Sequence, residues 1–255
     1  RSPTTSTTTI TITWKSFEWA TQTTTPISPK QSAHDHKNIY LFILSFVFIT
    51  SANSQVIRYT LMDVDSKDRE KFETALANKT KIYNSKKGQQ EVYTFSITSG
   101  KDVYKYVRVV VNESFGDFGN YQRNTSEGVK YFRKNVGPYA ENLGSYFMKL
   151  NKAASYTPNN DEFQEDVNFR RVYLYDYKDS HREDFWRFRI RYKKALEKMG
   201  GKRMGVLTCL SGCAGNKVMV RYHFNDPKDD EDFLGKNLSK LVETYNEIFG
   251  EDSYK

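Results

Sequence analysis

Two distant segments of this chain carry nearly the same sequence. They are "VRVVVNE" at Val107–Glu113 and "VRYHFND" at Val220–Asp226. Sliding the chain along itself without a gap, so that Val107 meets Val220, also aligns Arg58 with Arg171, Asp63 with Asp176, Phe72 with Phe185 and Gly88 with Gly201. An internal repeat of this length predicts two units of the same build, and this constrains the fold more than any other feature of the sequence.

Both units show the same order of patterns: strand, helix, strand, strand and helix. In the first unit, 56–64 alternates as a strand does, and helical spacing follows from Ser66 until Gly88. Strands are predicted at 91–98 and 103–113, and a second helix at 138–154. The predicted elements of the second unit are strand 169–177, helix 180–199, strands 204–211 and 217–225, and helix 229–249.

This order begins the split β-α-β ferredoxin-like motif. Over roughly residues 56–250 the chain resembles the dimeric α/β-barrel superfamily, which includes stress-responsive barrel proteins and antibiotic-biosynthesis-type monooxygenases. The resemblance rests on element order and transfers no functional residue. It implies an α+β fold of two tandem ferredoxin-like units, residues 55–155 and 156–255, that pair their sheets into a pseudo-symmetric barrel or sandwich.

The N-terminal segment, 1–54, differs in composition from the rest of the chain. Residues 1–37 are rich in Thr and Ser, and are expected to be a disordered leader or translated upstream sequence. Residues 38–54 follow Lys37 with the apolar run Ile39–Ile49 and end on small residues, which is typical of a secretory signal peptide. An uncleaved anchor is the second choice. The sequence therefore predicts a mature chain from Gln55, periplasmic or secreted, with no membrane segment after cleavage.

Charge and motifs narrow the class of function. The net charge is +8, and residues 55–255 alone carry +6. Acidic blocks interrupt the basic residues, so the balance favours anionic partners or solubility, and nucleic acid is not expected as a partner. The chain has no GxSxG, HExxH, phosphate-loop or Rossmann glycine motif. No metal site is predicted, and neither the cofactor nor the presence of an enzymatic activity follows from the sequence.

Alternation along the strands sorts side chains onto two faces. An apolar face, which includes Val107, Val109 and Val111, is expected to pack under the helices. An aromatic and basic face is expected to line the interior of the barrel, where it would suit a small anionic or aromatic ligand. The candidate ligand-binding residues are Arg58, Arg108, Arg171, Arg221, Tyr173, Tyr175 and His223. Alternatively, the arginines hold the sheet together by pairing with Asp and Glu.

Two further features bear on function. Cys209 and Cys213 are the only cysteines, and an exported chain favours a disulfide between them. His223 is a candidate haem or metal ligand, although a hydrogen-bonded histidine fits the pattern as well. The sequence thus favours an exported protein that binds a small ligand between two sheets. A surface interaction module of the cell envelope, and a cofactor-free oxygenase or haem-handling enzyme, are the alternatives.

Overall fold

The computed structural model describes residues 6–13, 55–86, 89–120, 126–158, 169–224, 226, 228 and 236–254. The described strands are β1 (Ser6–Thr13), β2 (Val56–Asp63), β3 (Val92–Ile97), β4 (Tyr106–Asn112), β5 (Glu141–Leu150), β6 (Phe169–Asp176), β7 (Met204–Ser211) and β8 (Lys217–Phe224). The described helices are α1 (Arg69–Tyr83), α2 (Asp117–Asn120), α3 (Glu127–Tyr131), α4 (Arg182–Met199) and α5 (Lys236–Phe249).

Strands β2 to β8 form one curled antiparallel sheet in the order β3-β4-β2-β5-β7-β8-β6. Strand β1 pairs with β6 along its whole length and with β3 at Ile12 and Thr13, which closes the sheet into a barrel. The expectation of disorder for residues 1–37 is therefore wrong at Ser6–Thr13. Its alternating Thr and Ile are β-branched and suit a strand, and two open sheet edges supply its partners. The predicted signal peptide lies outside the described residues.

The interior of the barrel is an apolar core to which every strand from β2 to β8 contributes. Successive side chains of a strand point to opposite faces, so one residue in two is directed inwards. The buried inward residues are Ile57, Tyr59, Phe95, Ile97, Val107, Val109, Met148, Val172, Leu207 and Met219. This packing leaves the opposite face of the sheet to the helices.

Two helical layers cover the outer face of the barrel. Helix α1 places Phe72 and Leu76 against Met62 of β2 and Tyr106 of β4. Helices α4 and α5 cover β7 and β8 through a larger cluster, at whose centre Tyr245 of α5 is buried. The buried residues of α4 and of the strands beneath it include Tyr192, Leu196, Met204, Val206, Val220 and Tyr222.

The predicted helix at 138–154 is wrong, because its central segment is the strand β5. Tyr146, Met148 and Leu150 alternate inwards, and Gly144 has a φ of +132°, which a helix cannot contain. The segment lies between β2 and β7 and pairs with both. The other predicted strands and the helices within 66–88, 180–199 and 229–249 are confirmed. No helix among the described residues combines the length and apolar character that crossing a bilayer needs.

The internal repeat does not hold at the level of strand faces. It is consistent for β2 and β6, where Tyr59 and Val172 both point into the barrel. In β4, however, Val107 points into the barrel, whereas its counterpart Val220 in β8 packs under the helices. A slip of one residue exchanges the two faces of a strand. The predicted outward placement of Val107, Val109 and Val111 is therefore wrong, while that of the β8 residues is confirmed.

Candidate functional site

A cavity of about 440 Å³ lies between the outer face of β2 and β4 and the helical layer formed by α1 and α3. Its volume falls within the range of small-molecule sites in proteins. Its lining comes from four strands, two helices and the segments beside them. The described lining residues are Arg58, Thr60, Met62, Lys79, Gln90, Val92, Arg108, Val110, Gly128, Val129, Phe132, Arg133, Ala140, Asn142 and Ser145.

The strand wall of the cavity places two arginines on neighbouring strands. Arg58 of β2 lies opposite Val110 of β4, and Thr60 lies opposite Arg108. Since alternate residues share a face, all four side chains are directed towards the helical layer. The hydroxyl of Thr60 shares a hydrogen bond of 2.7 Å with that of Ser145 on β5, which fixes the polar edge of this wall.

The helical wall is built by α3 and the π-helical turn that continues it, Phe132–Val136. The guanidinium carbon of Arg108 lies 4.4 Å from the centre of the Phe132 ring. Such a cation-π contact holds the arginine against an apolar surface. Gly128 of α3 lies against Tyr83 of α1, where an added Cβ would come within 3.3 Å of the Tyr83 side chain. The glycine therefore permits the close approach of the two helices.

The electrostatics of the cavity are uniformly positive. Every ionisable side chain among its described lining residues is cationic: Arg58, Lys79, Arg108 and Arg133. Lys79 is 5% exposed and donates a hydrogen bond to Oδ1 of Asn84. Burial, and to a lesser degree the charge of Arg108, lowers the pKa of Lys79 to about 7. An anion in the cavity would favour the protonated amine, and the amine would in turn attract the anion.

Only two of the seven candidate ligand-binding residues, Arg58 and Arg108, line this cavity. Strand alternation grouped them correctly on one face of adjacent strands, but that face is the outer one under the helices, so their predicted place inside the barrel is wrong. Alternation separates the two faces of a strand and does not say which face the helices cover. Three further lining residues, Lys79, Phe132 and Arg133, reach the cavity from the helical layer and were not among the candidates. Lys79 could have been noticed in the sequence, because it is a lysine on the apolar face of α1.

Two other candidates, Arg221 and His223, lie inside the barrel near one of its ends. They are 8% and 4% exposed, and His223 lies directly opposite Arg170 of β6. Nη1 of Arg221 donates a hydrogen bond of 3.2 Å to the hydroxyl of Tyr59. Burial holds the pKa of His223 well below its usual range, and the charges of Arg170, Arg221 and Arg203 act in the same direction. At neutral pH His223 is therefore uncharged.

The remaining candidates, Arg171, Tyr173 and Tyr175, lie on the outer face of β6 beneath α4. Tyr173 packs edge-on against Tyr222 with ring centres 6.0 Å apart. The guanidinium carbon of Arg189, a buried residue of α4, lies 4.2 Å from the centre of the Tyr175 ring. The expectation that all seven candidates line one cavity is wrong, because they fall into three places. Their role in ligand binding stays a prediction.

Cys209 and Cys213 form a disulfide, as the sequence predicted. Cys213 contributes to a second cavity, of about 260 Å³, whose lining is mainly apolar and lies within the barrel. Tyr59, Val107, Tyr146 and other core residues complete that lining. Within the described part of the chain, no group of three or more His, Cys, Asp or Glu side chains could hold a metal ion.

The curled antiparallel sheet and its covering helices define an α+β protein of the ferredoxin-like class. The chain matches no protein family profile and no curated protein sequence. Among solved structures, it resembles a Fusobacterium nucleatum protein provisionally named a monooxygenase, with a TM-score of 0.55 and 15% identity over 77% of this chain and 88% of the other.

Two further solved structures are similar to the chain. A protein from Lactobacillus acidophilus, also provisionally named a monooxygenase, has a TM-score of 0.52 and 12% identity over 76% of this chain and 88% of its own. A protein provisionally named a chlorite dismutase has a TM-score of 0.42 and 11% identity over 76% of this chain and 86% of its own. At these identities the likeness establishes the fold alone.

Proposed function

We propose that this protein binds a small organic anion in the cavity between its sheet and the layer of α1 and α3. The observation that carries the proposal is the one-sided charge of the cavity. Its described lining contains four cationic side chains and no carboxylate. Lys79 is buried among them, and burial, followed by the charge of Arg108, lowers its pKa to about 7. A bound anion would favour the protonated amine and would be attracted by it.

The lining also indicates the kind of anion. A guanidinium group recognises a carboxylate or a phosphate through two parallel hydrogen bonds, and Arg58 and Arg108 stand on adjacent strands. Val92, Val129 and Phe132 add apolar surface beside them. This combination suits a molecule with one acidic group and an apolar or aromatic body, and it is less suited to a bare inorganic ion.

The test is a calorimetric titration of the full chain with benzoate, phenyl phosphate, citrate and inorganic phosphate. We expect benzoate or phenyl phosphate to bind, and Arg108→Met to weaken that binding at least about tenfold, since a hydrogen bond to a charged group contributes roughly 1.5–3 kcal/mol. Arg187→Met is the matched control, because Arg187 lies exposed on α4 and pairs with Asp184. Equal affinity in wild type and Arg108→Met, or no binding of benzoate and phenyl phosphate, would refute the proposal.

A cofactor-free oxygenase is the second candidate function. It is favoured by the two similar folds that carry monooxygenase names. Haem does not fit the cavity: its described lining has no histidine, cysteine or tyrosine, and its one methionine, Met62, is buried in the core under α1. Oxygen consumption in the presence of a bound aromatic acid distinguishes an oxygenase from a binding protein.

Export to the periplasm or the medium is part of the same proposal. The disulfide between Cys209 and Cys213 supports it, because such bonds persist in oxidising compartments. The residues predicted as a signal peptide, 38–54, give the second support. N-terminal sequencing of the exported protein is the test: Gln55 as the first residue would support cleavage, and it would mean that the exported chain lacks β1, so that its sheet is open between β6 and β3.

The proposal of two tandem units draws support from strand order. In the first unit the sheet runs β3-β4-β2-β5, so the unit's first strand, β2, lies between its third and fourth. In the second the corresponding order is β7-β8-β6, and β1 occupies the place of a fourth strand. Separate expression of residues 55–155 and 156–255 would show whether each unit can fold alone.

A further inference from the structure

We infer that the barrel holds a second anion site, at the end of its interior where Arg170, Arg203, Arg221 and His223 converge, and that the site takes a compact oxyanion such as phosphate or sulfate. This site lies on the opposite face of the sheet from the cavity proposed above. It does not depend on that cavity being a ligand site.

Three strands bring these residues together. Arg170 of β6 stands directly opposite His223 of β8, and Arg221, two residues earlier on β8, is directed to the same face. Arg203 immediately precedes β7. The first residue of β7, Met204, lies opposite Tyr222 of β8, so Arg203 comes next to His223 along this register. The charges of Arg203, Arg170 and Arg221 all lower the pKa of His223, which agrees with this placement.

The cluster has no acidic partner among the described residues. Nε of Arg170, Nε of Arg221 and Nε2 of His223 are buried without a hydrogen-bond partner. Glu91, a carboxylate close to Tyr93, is exposed and accepts a hydrogen bond from the Tyr93 hydroxyl at 3.4 Å. Buried charges are ordinarily paired, because their desolvation costs several kcal/mol or more. An anion bound among these groups would supply the acceptors that they need.

The arginines are positioned by contacts that leave their donors available. The guanidinium carbon of Arg170 lies 4.4 Å from the centre of the Phe95 ring. Arg221 crosses over Gly205 of β7, where an added Cβ would lie 2.7 Å from its Nε, and one of its other nitrogens donates to Tyr59. Aromatic rings and a glycine therefore hold the two side chains in place, whereas a carboxylate would occupy their hydrogen-bonding edges.

The exposure of the four residues indicates how an anion reaches the site and how large it can be. Arg170 and Arg203 are partly exposed, whereas Arg221 and His223 are buried. An anion can thus enter past the first two and be held by the second two. The apolar core beyond them, which begins at Val172, leaves no polar partner for a long ligand. A small tetrahedral oxyanion, with acceptors on all sides, matches several converging donors.

Binding at this site is expected to be coupled to proton uptake. Burial and the three arginines hold His223 neutral, and the side chains of Tyr59 and Tyr93 face the arginines. An added anion favours the protonated imidazole, so the affinity for sulfate, whose charge does not change near neutral pH, should increase as the pH is lowered.

The test uses the full chain, inorganic phosphate and sulfate, and the proton NMR signals of the histidine rings. The His223 ring signals are assigned by comparison with His223→Gln. We expect phosphate to shift these signals in a saturable manner and to raise the pH at which His223 titrates. We expect His181, exposed at the start of α4, to be unaffected. This measurement needs no variant of the cluster other than the one used for assignment.

Calorimetry of variants provides the second arm. Arg221→Met should weaken phosphate binding at least about tenfold, as expected for one lost hydrogen bond to a charged group. Arg221→Lys should weaken it less, and Arg187→Met, at an exposed residue of α4, should leave it unchanged. Saturation without a shift of the His223 signals, or equal affinity in wild type and Arg221→Met, would overturn the inference.

Discussion

Arg221 and Tyr59 are joined across the barrel by a hydrogen bond of 3.2 Å, although 162 residues separate them in the sequence. Both side chains are buried, at 8% and 4% exposure. The bond links β8 to β2 at the border between the apolar core of the barrel and the basic cluster at its end. It therefore connects the second half of the chain to the first at a point where a lost partner cannot be replaced by bulk water.

The first prediction follows from this bond. Tyr59→Phe should lower the free energy of unfolding by about 1–3 kcal/mol, because a buried charged donor loses its acceptor. Urea denaturation measures the change. Tyr104→Phe is the matched control, since Tyr104 is 66% exposed, and it should be close to neutral. Similar losses in the two variants would mean that the bond contributes nothing specific.

Gly205 should not tolerate a side chain. An added Cβ would lie 2.7 Å from Nε and 3.0 Å from Cγ of Arg221, so Gly205→Ala must displace the arginine from Tyr59. We expect a loss of about 1–3 kcal/mol in thermal or urea denaturation, as for other overpacked interiors. Gly119→Ala is the control, because nothing lies within 4 Å of the corresponding Cβ. A Gly205→Ala protein as stable as wild type would contradict the position given to Arg221.

Lys79 should make stability depend on pH. Its pKa is lowered to about 7 in the folded chain, whereas the pKa of an unperturbed lysine is about 10.4. Between these values the unfolded chain binds more protons, so the free energy of unfolding should rise with pH from about 7 to about 10. At and below about pH 7 the full cost of the buried charge remains.

The variant Lys79→Met should lack this rise and be more stable than wild type near neutral pH. Urea denaturation at several pH values between about 6 and 10 measures it. Lys71→Met, at a lysine whose side chain is 64% exposed, should retain the wild-type slope. If the free energy of unfolding changes with pH in the same way in Lys79→Met and in wild type, the pKa of the Lys79 amine is not lowered in the folded chain.

The disulfide should contribute modestly to stability. Cys209 and Cys213 are four residues apart, and closing so small a loop restricts the unfolded chain by only about 2 kcal/mol in the chain-entropy account. Reductant should therefore lower the melting temperature by a few degrees and leave the fold intact. The double variant Cys209→Ser/Cys213→Ser should melt at the lower temperature with and without reductant. A reductant effect that survives in this variant would have another origin.

Much of the fold could be predicted because its signals are local. The strands around Tyr59 and Val220 alternate, and α4 has helical spacing and ends at Gly200, whose φ of +66° favours glycine. The strand β5 could not be recognised in this way. Its Asn-Leu pair resembles the start of α5, and what makes it a strand is pairing with β2 and β7, which are distant in sequence.

The site was predicted only in part for a related reason. Strand alternation brought Arg58 and Arg108 to one face, and the structure places both in the cavity. Lys79 and Phe132 join them through the docking of helices, which no periodicity within a strand reveals. Arg221 was grouped with Arg108 because the ungapped repeat aligns them, yet the two point to opposite sides of the sheet.

The inverted faces of β4 and β8 limit how the halves of this protein can be exchanged. A chimera that carries Val220–Asp226 in place of Val107–Glu113 would follow the alignment of the internal repeat. It would insert tyrosine and phenylalanine where Val109 and Val111 face the barrel, and it would turn the transplanted histidine towards the outer surface, against Phe118. Only a graft moved by one residue would preserve the inside and outside of the strand, so similarity of sequence and interchangeability are separate properties in this chain.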